Sequence, residues 1–439
     1  MKKTEGKARF WLALVVFGLT GQVAWVVENM YFNVFIYKMF NASASQISAM
    51  VSASAVTATV TTLLIGALSD KVGRRKIFIC IGYILWGLSI LGFAAIREDW
   101  VHNTFFTMVS YNGAALSMCI TLTIILDCVM TFFGSSANDA CFNAWLTDST
   151  DHTNRGAAEG VNAMMPLVAI LAVFGGFMGF DLNQASSWTT IFLIIGGAVI
   201  LIGVLGLFLI KDTAVKIPEN GHYFANIIYG FRPSVMKQNK VLYATLIAFA
   251  VFGISIQIFM PYLILYYQVS LQMEDYVLIM APAIIWASIA TAFYGRLYDR
   301  FGFARSAMPA LGLLLAGYAV LYFFRATAPV FIGSLLMMTG YLAGMAVFGA
   351  MLRDYTPENK AGMFQGLRIV GQVLIPGIIG PAIGSAVLKN ADTIVNDDGT
   401  TSFIPNVNIF LAAAVVAVLV FVALIPILKM KKGEKVSEN

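Results

Sequence analysis

The chain has 439 residues, 59% of them hydrophobic and only 12% charged, with a net charge of +5. A soluble globular protein carries about 25% charged residues, so this composition excludes a water-borne globule and a disordered chain. Apolar runs such as Ile191–Ile210 and Phe410–Leu428 have the length of a bilayer crossing, about 20 residues, and the expected fold is an all-α membrane protein.

Twelve spans are predicted, at 10–37, 45–69, 77–96, 115–146, 157–180, 188–210, 241–267, 274–297, 306–325, 329–352, 362–388 and 405–428. The first follows a basic stretch, MKKTEGKAR, as a signal peptide's apolar core does. Here that core continues to Tyr37 with no small-residue cleavage site, so it reads as a span. Gln22, Trp25, Glu28, Asn29 and Asn33 interrupt its aliphatics. On a regular helix Gln22, Trp25, Asn29 and Asn33 share much the same face, and an aromatic ring beside amides suits a polar organic ligand. Glu28 is a lone carboxyl, which in hydrocarbon needs a partner or a proton; it is an ion-coupling candidate.

Span 2 is rich in serine and threonine and runs into Gly66-ALS-Asp70-KV-Gly73-Arg74-Arg75-Lys76. Span 4 carries Asp127, Asn138, Asp139 and Asn143. At about 1.5 Å of rise per residue, Asp139 lies roughly 13 Å from the helix end at Asp148, and Asp127 roughly 31 Å. Asp139 is therefore expected at mid-depth as the coupling group, with Asn138 and Asn143 as substrate contacts. Asp127 is expected near the far mouth, a solvated rim carboxylate and secondary coupling candidate. Ser135 and Ser136, after Gly134, read as small residues that let a neighbouring helix approach. Arg155, close to Glu159 at the start of span 5, is expected to gate with Asp148 or Asp139.

The connection Lys211–Lys240 mixes apolar and basic residues and reads as an amphipathic helix on the membrane surface. It divides the chain into a six-helix bundle at 1–210, a linker at 211–240 and a second bundle at 241–439. In the second half, Gln257, Tyr262 and Tyr266 of span 7 and Gln372 of span 11 are substrate-contact candidates. Arg368 in span 11 joins them and is the buried cation available to Asp139. Pro166, Pro261, Pro282 and Pro376 are expected to interrupt their spans.

The halves echo each other. Gly66, Asp70, Gly73 and Lys76 align without a gap with Gly295, Asp299, Gly302 and Arg305, at an offset of 229. Asp148, Thr150, Gly156 and Gly160 align with Asp354, Thr356, Gly362 and Gly366, at an offset of 206. Duplicated bundles of this kind are a habit of secondary transporters. Lysines and arginines are divided 23 to 4 in favour of the side carrying both termini, with Arg368 left inside a span. The positive-inside rule makes that side cytoplasmic, and the same one-sided charge excludes nucleic acid as a partner.

GALSDKVGRRK resembles the signature loop between helices 2 and 3 of the major facilitator superfamily, and GRLYDRFGFAR resembles its degenerate second copy. The resemblance implies two pseudo-symmetric six-helix bundles, a central cavity and alternating access. It implies a gating role for Gly66, Asp70, Gly73, Arg74 and Arg75, and Asp148, Arg155, Glu159, Asp299 and Asp354 are read as parts of the same gates. NDACFNAWLTDSTDHTNRG is similar to the helix 4 to helix 5 region of glycoside–pentoside–hexuronide cation symporters. That group usually has aspartates in helix 2 for the coupling cation, whereas span 2 here has no carboxylate before Asp70.

Cys80, Cys119, Cys128 and Cys141 form no C-x-x-C pair and read as small buried groups. His102, His152 and His222 are dispersed in predicted loops, so no metal site is expected. No nucleophile–base set or nucleotide motif is present, so neither catalysis nor a cofactor is expected. The expected activity is transport by a monomer in the cytoplasmic membrane, in contact with lipid. The solute is a small polar organic molecule, such as a sugar or glycoside, coupled to a proton or sodium ion. The alternative is proton-coupled efflux of a drug or lipid.

Overall fold

The computed structural model describes residues 2–105, 112–150, 155–211, 229–356, 366–396 and 399–437. Among them, eleven helices are long and apolar enough to cross a membrane, at Ala8–Phe40, Ala44–Ser69, Arg75–Phe93, Ala114–Asp148, Ala185–Leu209, Lys240–Ser270, Tyr276–Phe301, Phe303–Phe323, Thr327–Asp354, Gly366–Val387 and Asn408–Met430. The helix Arg155–Phe177, apolar over Met164–Phe177, supplies span 5. The fold is that of a mostly α-helical membrane protein of twelve spans, with a short two-stranded sheet, Thr393–Val395 with Thr401–Phe403.

Local chemistry sets the span ends. Span 1 stops at Asn41, which takes a left-handed conformation at φ 53° and donates its N–H to the Tyr37 carbonyl at 3.1 Å. Two residues later Ser43 starts span 2 with a reciprocal cap. Its hydroxyl accepts from the Gln46 N–H, and Gln46 Oε1 accepts from the Ser43 N–H at 2.8 Å. This capping box satisfies donors that a helix start leaves open, so a corner of three residues suffices.

The chain forms two compact units. The first comprises Met1–Tyr223 with Asn396–Ser402, and the second comprises Phe224–Val395 with Phe403–Asn439. In the first unit, spans 3 and 6 press together at Gly87 and Gly196, where an added Cβ would meet backbone oxygen at 2.6–2.9 Å. In the second, spans 9 and 10 do so at Gly317 and Gly340.

Some expectations need correction. Span 4 reaches from Asn112 to Asp148, so Asp127 lies well inside it from either end. His102 sits on a short helix, Glu98–Phe105, rather than in a loop; His152 and His222 lie outside the described residues. The amphipathic helix expected in the linker falls mostly on residues 212–228, also outside the described part; Pro233–Gln238 forms a six-residue helix. Pro166 and Pro282 sit inside continuous helices. Pro261 lies in a 3₁₀ turn, Met260–Tyr262, and Pro376 follows a π segment.

Candidate functional site

Four spans depart from the α-helical ladder into π-helix, at Val27–Tyr31, Ser135–Phe142, Tyr266–Ser270 and Val370–Leu374. Such bulges leave extra room in the hydrogen-bond ladder and concentrate at functional sites. These four contain Glu28, Asn29, Asn138, Asp139, Tyr266 and Gln372.

The first unit gathers its carboxyls where spans 1, 2 and 4 meet. Glu28 is buried, and its Oε1 accepts from Ser54 Oγ of span 2 at 2.6 Å and from Thr131 Oγ1 of span 4 at 2.9 Å. The two hydroxyls lie 2.9 Å apart. Glu28 Oε2 is buried without a partner, and so is Asp127 Oδ1. Glu28 is close enough to Asp127 and to Asp139 for the charges to act on one another. Among the described residues, no Lys, Arg or His nitrogen lies within 4 Å of these three carboxyls.

Asp127 is therefore not a solvated rim group; it is 1% exposed. The depth estimate measured from Asp148 overlooked the 15 residues by which the helix continues to Asn112, about 22 Å more. Asp139 is half-buried, with Ser135 Oγ donating to its Oδ2 at 3.1 Å and Asn138 Nδ2 near its Oδ1 at 3.4 Å. The Trp25 indole lies beside it, with Nε1 buried and without a hydrogen bond of normal geometry. Ser135 is thus a polar partner rather than a spacer, while Gly134 is the close-approach residue, since a Cβ there would meet Trp86 at 2.7 Å.

The residues read as one face differ in exposure. Asn29 is exposed and Asn33 fully buried, and each turns its amide back to a carbonyl, of Trp25 and Asn29 respectively. Asn143 is exposed and donates to the Asp139 backbone oxygen, not to its carboxyl. The π segment Val27–Tyr31 lies between Gln22 and Asn33, so α-helical spacing does not carry from one to the other. Gln22 is half-buried nearby on span 1.

Sequence reasoning missed Ser54, Thr131, Tyr83 and Gly21. Tyr83, fully buried on span 3, places its hydroxyl 2.9 Å from the Phe17 carbonyl and 3.0 Å from Asn138 Oδ1. Serine and threonine satisfy themselves on the backbone in most spans, so only the pairing with Glu28 singles out these two.

At the end carrying the N-terminus, the signature loop is tied down by hydrogen bonds. Gly73 ends the helix at φ 69°, a conformation that favours glycine, and donates to the Ser69 carbonyl at 2.9 Å. Arg75 is 4% exposed. Its Nε donates to Asp148 Oδ2 at 3.1 Å and its Nη1 to Ser69 Oγ at 2.5 Å. Asp148 is thus held by Arg75; the expected contact of Arg155 with Asp148 or Asp139 falls on a side chain outside the described part. Arg74 is exposed, and Gly66 supplies the carbonyl that Ser69 Oγ caps. The side chains of Asp70, Arg155 and Glu159 lie outside the described part.

In the second unit Asp354 accepts a hydrogen bond from the Tyr298 hydroxyl, and Asp299 is exposed. Gln257 is half-buried against Gly380, and Tyr262 is fully buried against Gly384. Arg368 is half-buried with an unpartnered Nε, and Gln372 is half-buried. Gln257, Arg368 and Gln372 make no hydrogen bond with one another.

Twelve spans in a duplicated arrangement, with uncompensated carboxyls buried in one bundle, define a membrane transporter. The chain belongs to the Major Facilitator Superfamily, whose family model matches residues 10–347 and again 287–439. Solved structures share the fold. The nucleoside transporter NupG superposes with a TM-score of 0.69 at 13% identity, covering 95% of this chain and 98% of that one. A bacterial homolog of the human lysosomal transporter Spinster, inward-facing and unoccupied, gives 0.66 at 14% identity, over 94% and 95%. The xylose transporter XylE from E. coli gives 0.66 at 14%, over 94% and 98%. No curated protein matches the sequence significantly.

Proposed function

We propose that the chain is a secondary active transporter that carries a small polar organic solute across the cytoplasmic membrane together with a proton, by alternating access, with both termini cytoplasmic. The observation that carries this reading is Glu28. One carboxyl oxygen is held by two hydroxyls, the other has no partner, and among the described residues no cation within 4 Å balances the charge. A bare carboxylate in such surroundings costs several kcal/mol, and a proton on the free oxygen removes that cost. Asp127 and Asp139 are the groups with which such a proton is shared. The sugar, glycoside or nucleoside class is supported by the Trp25 indole beside Asp139 and by the company of xylose and nucleoside transporters.

The test uses the purified protein in lightly buffered vesicles, challenged with a panel of pentoses, hexoses, glycosides and nucleosides. Co-entry of protons with one class is expected. Glu28→Gln should lower gradient-driven uptake of that solute about tenfold or more, a coupling free energy of about 1.4 kcal/mol, while solute exchange stays near normal. Gradient-driven uptake that survives Glu28→Gln, or uptake that follows sodium instead, would end the proposal. Proton-driven extrusion of apolar compounds would point to the efflux alternative.

A further inference from the structure

We propose that Asn138 and Tyr83 form a reversible hydrogen-bond chain that carries the protonation state of Asp139 to the backbone of span 1. The inference rests on the reading that the carboxyl cluster takes up a proton. Four groups stand in series: Asp139 Oδ1, the Asn138 carboxamide at 3.4 Å, the Tyr83 hydroxyl at 3.0 Å from Asn138 Oδ1, and the Phe17 carbonyl at 2.9 Å. Asn138 is 3% exposed and Tyr83 0%, so the chain is closed to solvent.

Counting protons gives the chain two directions. A phenol has one proton to donate, an amide offers an oxygen acceptor and an NH₂ donor, and an ionised carboxylate only accepts. With Asp139 ionised, Asn138 Nδ2 donates to it, and Tyr83 gives its proton to Asn138 Oδ1. When Asp139 holds a proton on Oδ1, the oxygen that faces Asn138, its O–H and the Asn138 NH₂ would face each other as two donors. A half-turn of the carboxamide removes that conflict. The amide oxygen then accepts from Asp139, the NH₂ donates to Tyr83 Oη, and Tyr83 gives its proton to the Phe17 carbonyl. One proton is added, at Asp139, and no other covalent bond changes; two rotors turn. Ser135 Oγ can hold Asp139 Oδ2 in both states.

The surroundings fix the path. The Tyr83 ring is set between Phe17 and Trp86, with centroids at 4.8 and 5.5 Å, which leaves the hydroxyl free to turn while the ring stays. Span 1 reaches the chain only because residue 21 is glycine. A Cβ there would lie 2.6 Å from Asn138 Oδ1 and 2.7 Å from Tyr83 Oη. Among the described residues, the ionisable groups facing Asp139 are Glu28 of span 1, which its charge reaches, and Tyr83 of span 3. Asp127 of its own helix acts on Glu28, and Asp148 is taken by Arg75. Span 2 brings no ionisable side chain between Ala44 and Ser69.

Infrared difference spectra of the purified protein, recorded between neutral and acid pH in H₂O and D₂O, test this without a substrate. The Asp139 carboxyl band is assigned by its loss in Asp139→Asn, and the Tyr83 band by its loss in Tyr83→Phe. In the parent protein the Tyr83 band is expected to move with the same midpoint as the Asp139 band. In Asn138→Leu the Asp139 band should still titrate while the Tyr83 response disappears; Asn138→Val serves if the leucine variant does not fold. A Tyr83 response that persists without the amide means charge acting through space and overturns the chain. If no pH-dependent carboxyl band is lost in Asp139→Asn, Asp139 takes up no proton and the chain falls. If Glu28→Gln also leaves every such band in place, the proton-coupled reading falls with it.

Discussion

The two units hold equivalent aspartates with different chemistry. In the first unit Asp148 is held by the guanidinium of Arg75, which also reaches Ser69. In the second, Asp354 is held by the hydroxyl of Tyr298. The offset of 229 places Tyr298 opposite Ser69 and Ala304 opposite Arg75, and the offset of 206 places Asp354 opposite Asp148. The aspartate is retained, and the loop glycine takes a positive φ in both copies, 69° at Gly73 and 76° at Gly302. What changed is the donor. Both bonds are charge-assisted, because the acceptor is a carboxylate in each; only the first pairs opposite charges, and its donor also reaches a second acceptor, Ser69. The comparison teaches that the first unit's aspartate is held by an ion pair and depends on a positive charge that substitution can remove.

Arg75→Ala should be the most damaging change. It strips Asp148 and Ser69 of their donor and is expected to cost about 2–3 kcal/mol, read as a lower melting temperature of the detergent-purified protein. Tyr298→Phe removes one hydrogen bond to a carboxylate and should cost about 1.5 kcal/mol. Equal losses from the two changes would erase the distinction. The reversed pair Arg75→Asp with Asp148→Arg sharpens it, because a contact that works through charge should regain part of what Arg75→Asp alone loses. If the double variant is no better than the single, Arg75 acts through packing or Ser69 instead.

How much of this was legible follows from what each signal depends on. The twelve spans were readable because a crossing needs about 20 apolar residues, and the signature loop because its glycines and aspartate recur at fixed spacing. The location of the carboxyl cluster was partly readable, since Glu28, Asp127 and Asp139 stand out in hydrocarbon. Its assembly was not. Burial is decided by packing, so Asn29 and Asn33 looked alike and proved one exposed and one buried. Ser54 in span 2 and Thr131 in span 4 are unremarkable until the fold sets them against Glu28. Arg75 carried a gating role from the resemblance, and the fold supplies its partners, Asp148 and Ser69.

The opposite end of the first unit offers a control in which charge should matter least. Asp181 lies between spans 5 and 6, in an exposed turn. Its carboxylate accepts from the Asn183 backbone N–H at 3.0 Å and from the Gln184 and Asn183 amides at 2.9 and 3.0 Å. Lys38, which itself donates to Asn183 Oδ1 at 2.7 Å, adds a favourable charge. The Asn183 N–H above all, then the two amides and Lys38, hold Asp181 below the usual carboxylate range. A group depressed on folding stabilises the folded state above its unfolded value, and that stabilisation is lost as pH falls through the folded one. Asp181→Asn should therefore melt slightly below the parent at neutral pH, and the gap should close as the medium is taken to about pH 3. Other carboxyls titrate in both proteins, so the difference isolates this turn. A gap that keeps its size at acid pH would show that the turn is held by its amide geometry, with the charge contributing nothing.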